Sequence, residues 1–399
     1  MGWIESPACE TIRCKTPSTQ RGHLGSGASS IGIKTLLTSV LLAVFVLAVS
    51  GCSSPFANLD AARVDAMAGI RQEMEGFEED GMNGVLLVRY KDEVLLHEAY
   101  GWRDRAAREP MTLDTGFDIG SITKQITDAT VLKLEEQGRL STRDTLGEFF
   151  PSVPADKRGI TVRQLMKHSA GLPEYLGGDY ELVGRDRALE RILGEPLRFP
   201  PGSDEAYSNT GYSLLAMVVE EASGKTYEQA VRDAALEPAG TTGIGYVIPG
   251  WKQRDLAVGY GTFFQASTQE RGRWGTPLDK PWLDDGPSWT LRGNGGMLAT
   301  AEQLADWFDA VYAGEVLGPE ALDKFYELNG GGNWLTGGMR VGQAGGNGVF
   351  NAQQESWVDR DVHFTLLTST SSPNNAESVW EEIGDEASTL AQVAARSER

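Results

Sequence analysis

Cysteine is almost missing from this chain of 399 residues: there are three, Cys9, Cys14 and Cys52. The first two lie in a leader that reads as removable. A processed chain would keep Cys52 alone and could form neither an internal disulfide nor a cysteine metal cluster. Histidine is nearly as scarce, and His23, His97, His168 and His363 are scattered, so no histidine metal site is expected and no cofactor is implied. Positive charge is in deficit too, with 36 Lys and Arg against 56 Asp and Glu and a net charge of −20. The leader, 1–51, holds four Lys/Arg and two Asp/Glu, which leaves about −22 on the remainder. A field of that sign repels nucleic acid and reads as a solubility device. Internal repeats and low-complexity tracts are absent, which argues against a solenoid. Hydrophobic residues at 40% and aromatics at 9% are those of a folded globular chain.

Long apolar runs are limited to one, Leu36 to Val49, which follows Lys34 and carries no charge. It is short for a bilayer span and has the shape of an export-signal core. The small residues Ser50 and Gly51 then precede Cys52, and Val49-Ser50-Gly51-Cys52 looks like a bacterial lipobox, in which Cys52 is lipidated and becomes the first mature residue. The expected organisation is a signal segment over 1–51, a tether over 52–60 and a single domain over 61–396. The expected location is the cell envelope, lipid-anchored to a bacterial membrane and facing the periplasm or the exterior.

Within the domain, Val64, Met67, Ile70, Met74 and Phe77 recur at helical spacing and predict an opening amphipathic helix. Val85-Leu86-Leu87-Val88 is a continuous apolar run, as expected of a strand covered on both faces. Val94 to Leu96 opens a second strand across the polar turn Lys91-Asp92-Glu93, a hairpin pattern. A helix over Ser121 to Gln137 carries Ile122, Ile126, Ala129 and Leu132 on one face, with Gly138 placed to end it. From about 146 to 289, helical segments are broken by Pro and Gly clusters such as Pro200-Pro201-Gly202, the look of a mostly α-helical insertion. Strand patterns return at Gly338 to Val341, Asn351 to Val358 and Val362 to Thr370, and a last helix is expected over Ala376 to Ala395. The fold class is therefore α/β of the α+β type. An antiparallel sheet is built from both chain ends, about 61–145 and 290–396, and is flanked by helices.

Ser121-Ile122-Thr123-Lys124 is an S-x-x-K motif at the start of a helix, where residues three apart share a face. Lys124 can then reach the Ser121 hydroxyl and, if desolvated, take its proton or ease a base that does. The helix N-terminus adds free N–H groups where an oxyanion would form. Alone the motif is weak, since an N-cap serine with a solvated lysine gives the same text. Tyr207-Ser208-Asn209 supplies a second element in a loop before the apolar run Tyr212 to Val219. A phenol beside an ammonium can relay protons, and Asn209 can donate to a substrate carbonyl.

Taken together these segments resemble the serine β-lactamase-related family: class C β-lactamases, D-alanyl-D-alanine carboxypeptidases and related serine esterases. Phe117 to Lys124 resembles the nucleophile segment. Leu165-Met166-Lys167-His168-Ser169-Ala170-Gly171-Leu172-Pro173 resembles the "L-L-x-H-T-S-G-L-P" stretch, and Pro201-Gly202 through Tyr212 the "P-G-x-x-x-x-Y-S-N-x-G-Y" pattern. Gly295 to Thr300, followed by Leu304 and Trp307, is similar to a further family block. The resemblance covers about residues 62 to 395 and implies a β-lactamase/transpeptidase-like fold. It implies Ser121 as nucleophile, Lys124 and Tyr207 as its activating pair, and Ser121 and Gly346 N–H groups as the oxyanion hole. The departure is the third motif, where the family has Lys-Thr-Gly or His-x-Gly and this chain has Gln343-Ala344-Gly345-Gly346. Asn209, Gln343 and Gly345 would contact substrate, but Gln343 offers no cation to a carboxylate. The resemblance implies a structural role for His168, and no Ser-His-Asp triad is expected because G-x-S-x-G is missing around Ser121. Trp251, Trp274, Trp282 and Trp289 could line a substrate cleft, but the favoured expectation is that they anchor loops or fill core.

The expected activity is acyl transfer to water through an acyl-serine, on an ester, a D-amino-acid peptide or a β-lactam, the last disfavoured by Gln343. The expected partners are a small-molecule or peptide substrate and, through the lipid anchor, a bacterial membrane. The competing reading is a lipoprotein that recognises penicillin or cell-wall peptide, acylating slowly or only binding.

Overall fold

The computed structural model describes residues 55–91, 93–261, 272–333 and 338–370. The apolar run before Cys52, Cys52 itself and the helix expected over Ala376 to Ala395 lie outside them. Among the described residues no helix is long and apolar enough to cross a membrane.

Helix α1 (Pro55–Glu79) begins inside the stretch expected as a tether, with proline, whose fixed φ suits a first helical position, as its first residue. Its buried stripe is Ala66, Met67, Ile70 and Met74, whereas Val64, one turn earlier, is exposed. Strands β1 (Gly84–Tyr90) and β2 (Glu93–Tyr100) form the expected hairpin, with Lys91 in the left-handed region at its turn. The apolar run of β1 serves two cores at once. Leu86 and Val88 pack with α1, while Val85 and Leu87 join the larger cluster on the other face. That division follows from the two-residue period of a strand and explains why the run does not alternate with polar residues.

Two short strands, β3 (Trp102–Asp104) and β4 (Glu109–Pro110), and the two-residue β5 (Phe117–Asp118) lead to α2 (Thr123–Glu136). Ile122, Ile126, Ala129 and Leu132 are buried as expected, but so are most of the other residues of α2, which runs through the interior. Gly138 at φ +66° ends this segment.

The middle of the chain holds α3 (Leu146–Phe149), α4 (Val162–Met166), α5 (Arg185–Gly194), α6 (Asn209–Ser223) and α7 (Tyr227–Val231). Its second half differs from the helical expectation. Over 240–261 and 272–289 the chain runs as loops and short 3-10 turns around a strand pair, β6 (Gly259–Gly261) and β7 (Gly272–Gly275). Glycines and prolines recur too often there for a helix to propagate. Then come β8 (Leu298–Ala299), which pairs with β5, α8 (Ala301–Tyr312) and α9 (Pro319–Asn329).

Strands β9 (Gly330–Asn333), β10 (Gly338–Gly346), β11 (Asn351–Trp357) and β12 (Val362–Thr368) complete a six-stranded antiparallel sheet in the order β2-β1-β12-β11-β10-β9. An early and a late strand of the described residues are thus zipped through β1 and β12, with Val85 opposite Leu367 and Leu87 opposite Thr365. The C-terminal end of β10 lies beside the turn that opens α2.

Candidate active site

Ser121 lies in a 3-10 turn, Gly120–Ile122, directly ahead of α2. Two glycines let the end of β10 press against this turn. A side chain on Gly120, which sits at φ +50°, would meet the Gly346 nitrogen at 2.3 Å. One on Gly345 would meet the Ile119 oxygen at 2.3 Å and the Ser121 nitrogen at 2.5 Å. Neither position has room for Cβ, so the backbone N–H groups of Ser121 and Gly346 are held on facing segments. The contact is reinforced by Asp118, whose carboxylate accepts from Gly120 N–H at 2.8 Å and from Asn347 Nδ2 at 3.1 Å. One carboxylate thereby ties the residue before Ser121 to the residue after Gly346. Its burial pushes its pKa up to about 6.

Lys124 follows one helical turn later and is buried. Its Nζ donates to Ser121 Oγ at 2.9 Å and to the Asn294 carbonyl at 2.5 Å. Burial brings the ammonium down from 10.5 to about 7, against the opposing pull of Asp128 and Asp179. Asp128, one turn further along α2, is itself pushed up to about 8 by burial and accepts from the Tyr212 hydroxyl at 3.0 Å. Asn294 is fixed by donating from Nδ2 to Ser213 Oγ and to the Thr290 carbonyl, both at 2.8 Å.

Tyr207 arrives from the far side. Ser208 caps α6 by accepting from Gly211 N–H at 2.9 Å, and its hydroxyl donates to the Pro173 carbonyl at 2.7 Å. Ser208 N–H donates to His168 Nδ1 at 3.1 Å, and the His168 and Tyr207 rings lie 4.7 Å apart. This clamp holds the Tyr207 hydroxyl 2.7 Å from Ser121 Oγ. Partial burial raises the Tyr207 phenol above its ordinary value, so it stays protonated at neutral pH. Burial brings His168 down to about 4, which keeps it neutral beside Lys124. His168 contacts the tyrosine and not the serine, which is the structural placement expected of it.

Ser121 and Tyr207 open on a cavity of about 430 Å³ that is also lined by Asp118, Asp179, Asn209 and Gly346. Gln343 does not line it. It lies on the same face of β10 as Gly345, two residues away and partly exposed, with its amide donating to the Ala344 carbonyl at 3.4 Å. Of the tryptophans, Trp274 packs edge-on against Tyr180 and Phe350, Trp282 against Tyr246, and Trp289 beneath Arg292. Trp251 touches the position where Gly116 would carry a side chain. These are anchoring contacts, and none of the four is among the cavity residues. Among the described residues no group of three or more His, Cys, Asp or Glu is placed to hold a metal.

Several residues here escaped the sequence reading. Asp128 stood one helical turn past Lys124, Asn294 directly before Gly295, and Asn347 directly after Gly346, so motif-adjacent signals existed. Asp179 had no local signal at all.

A serine bonded to a buried lysine and to a tyrosine thus sits on the turn between the antiparallel sheet and the helical region. The match to the family model "Beta-lactamase" runs over residues 68–365, about three quarters of the chain, and the chain belongs to that family. A penicillin-binding protein of Bacillus subtilis (strain 168) is 30% identical over 171 residues, 41% of this chain and 38% of that one. The chain spans less than half the length of the curated relatives it matches. Among solved structures, the D-amino acid amidase from Ochrobactrum anthropi SV3 has a TM-score of 0.67 at 19% identity, over 84% of this chain and 100% of that one. EstCE1, described as a hydrolase with promiscuous acyltransferase activity, also has a TM-score of 0.67, at 18% identity over 82% of this chain and 100% of that one. Identities this low establish a shared β-lactamase/transpeptidase-like fold.

Proposed function

We propose that the protein is a serine hydrolase that works through a covalent acyl-Ser121 intermediate on ester or amide-type acyl substrates. The observation that carries this reading is the Ser121 hydroxyl bonded at once to Lys124 Nζ and to the Tyr207 hydroxyl. The electrostatics divide the labour between those two. Lys124, brought down to about 7, is available as a free amine near neutral pH, whereas the phenol of Tyr207 is pushed up and keeps its proton. Lys124 then takes the Ser121 proton as Oγ attacks the acyl carbon, and Ser121 and Gly346 N–H groups receive the developing oxyanion. Tyr207 passes a proton to the departing oxygen or nitrogen and is reprotonated from Lys124. Water, deprotonated by the same pair, attacks the acyl-enzyme and restores Ser121.

The relatives fit this chemistry at the level of acyl transfer: a penicillin-binding protein, an acyltransferring hydrolase and an amidase share the family or the fold. Carboxylate-bearing β-lactams are disfavoured as substrates because Gln343 carries no charge and stands outside the cavity lining. The test is turnover of a short-chain p-nitrophenyl ester, with fluorescent penicillin as a covalent label, in wild type and Ser121→Ala. Turnover and labelling both lost in Ser121→Ala support the reading. Turnover that survives in Ser121→Ala overturns it, and labelling of Ser121 without turnover of any ester, peptide or cephalosporin would make the protein a binder instead.

A further inference from the structure

The cavity beside Ser121 has walls of one charge. Asp118 and Asp179 both line it, and Glu174 lies close enough to raise the Tyr207 phenol. No Lys, Arg or His stands among the lining residues described. The two aspartates are not equivalent. Asp118 is occupied, with one oxygen accepting from Gly120 N–H and the other from Asn347. Asp179 is partly buried, and its carboxylate has no side-chain hydrogen bond or ion pair among the described residues. Lys124 is near enough to feel it but gives its protons to Ser121 and Asn294. A carboxylate partly withdrawn from water, facing a cavity and without a protein donor, is an acceptor placed to receive a cation. Phenols surround it, since Tyr175 and Tyr180 line the same cavity, and aromatic faces also favour ammonium groups.

We propose that the acyl substrate carries a free ammonium group, as in an amino-acid amide or ester with an unblocked amine, and that Asp179 receives it. Asp118 and Glu174 add to the attractive field, and the same field repels substrates with a carboxylate near the acyl carbon. This assignment rests on the acyl-Ser121 reading for what happens to the bound molecule. The recognition itself is a property of the cavity and is measurable without turnover.

The experiment is calorimetric binding to the full-length Ser121→Ala protein of three compounds: alanine amide, N-acetylalanine amide and N-succinylalanine amide, each in both hands. The ammonium compound of at least one hand is expected to bind at least about tenfold tighter than its acetylated form, and the succinyl form weakest. In Asp179→Asn the preference for ammonium over acetyl should fall about tenfold, and Asp179→Glu should restore part of it. Equal affinities, no binding by the ammonium compound, or preference for the succinyl compound overturns the proposal. Kinetics on alanine and N-acetylalanine p-nitroanilides in the wild type separate the two readings. Ser121-dependent turnover without ammonium preference removes only the recognition by Asp179. Ammonium binding without turnover of any acyl compound leaves the recognition standing and removes the hydrolase.

Discussion

Replacing Lys124 by methionine is expected to stabilise the protein while ending its chemistry, by an amount that shrinks as pH rises. Burial takes the ammonium from 10.5 to about 7. At about 1.4 kcal/mol per pH unit, holding that lysine costs the native state about 4 to 5 kcal/mol near pH 7. Methionine fills a similar volume with no charge to desolvate. It does leave the Asn294 carbonyl without the donor it has at 2.5 Å, a loss of about 1 to 3 kcal/mol. The net gain near pH 7 is then about 2 kcal/mol. The sign with pH follows from proton counts. Between about 7 and 10.5 the unfolded chain keeps the lysine proton and the native state does not, so wild-type stability rises with pH through that window. The variant lacks this rise, and its advantage is largest at acid pH and fades toward alkaline pH. Asp128 reinforces the trend: already pushed up to about 8, it holds its proton to still higher pH once the lysine is gone, which penalises the variant at alkaline pH. Urea denaturation of both proteins at about pH 6, 8 and 10, with m-values compared, reads the difference directly. A difference that does not change with pH, or a variant less stable than wild type at about pH 6, would refute the assignment of a buried, pKa-depressed lysine.

Three further outcomes follow from the same geometry. Tyr207→Phe keeps the ring against His168 but removes the hydroxyl 2.7 Å from Ser121 Oγ, so kcat should fall about 10²- to 10⁴-fold with KM changed only a few-fold. In the wild type, kcat/KM should climb with pH through about 7 as Lys124 becomes the free amine; a flat profile across neutrality contradicts its role as base. Asp118→Asn and Asn347→Ala each release the link between the Ser121 turn and the Gly346 segment, and each should lower kcat about tenfold. The double variant should lose less than the product of the two, and strict additivity would show that the link does not act as a unit.

The local part of this protein was legible in its residues. The i, i+3 spacing of Ser121 and Lys124 placed both on one helical face, the unbroken apolar run of β1 announced a strand covered on both sides, and the turn at Lys91 announced the hairpin. Such features depend on contacts between near neighbours, which a short window of sequence contains. The structure also brings the Tyr207 hydroxyl to Ser121, although 86 residues separate the two.

What no window contains is the environment of each group. The Lys124 ammonium is brought down because the side chain is buried beside the loop of Asn294, and burial is a property of the packed chain. The same holds for Asp118, an ordinary motif residue until β10 brings Asn347 to it, and for Asp179, an unremarked loop acid until it faces the cavity. Gln343 shows the reverse: its place in the third motif put it near substrate, yet it stands outside the lining residues. Electrostatic strength depends on distance and on exclusion of water, and both are set when the two ends of the chain close one sheet against the helical middle.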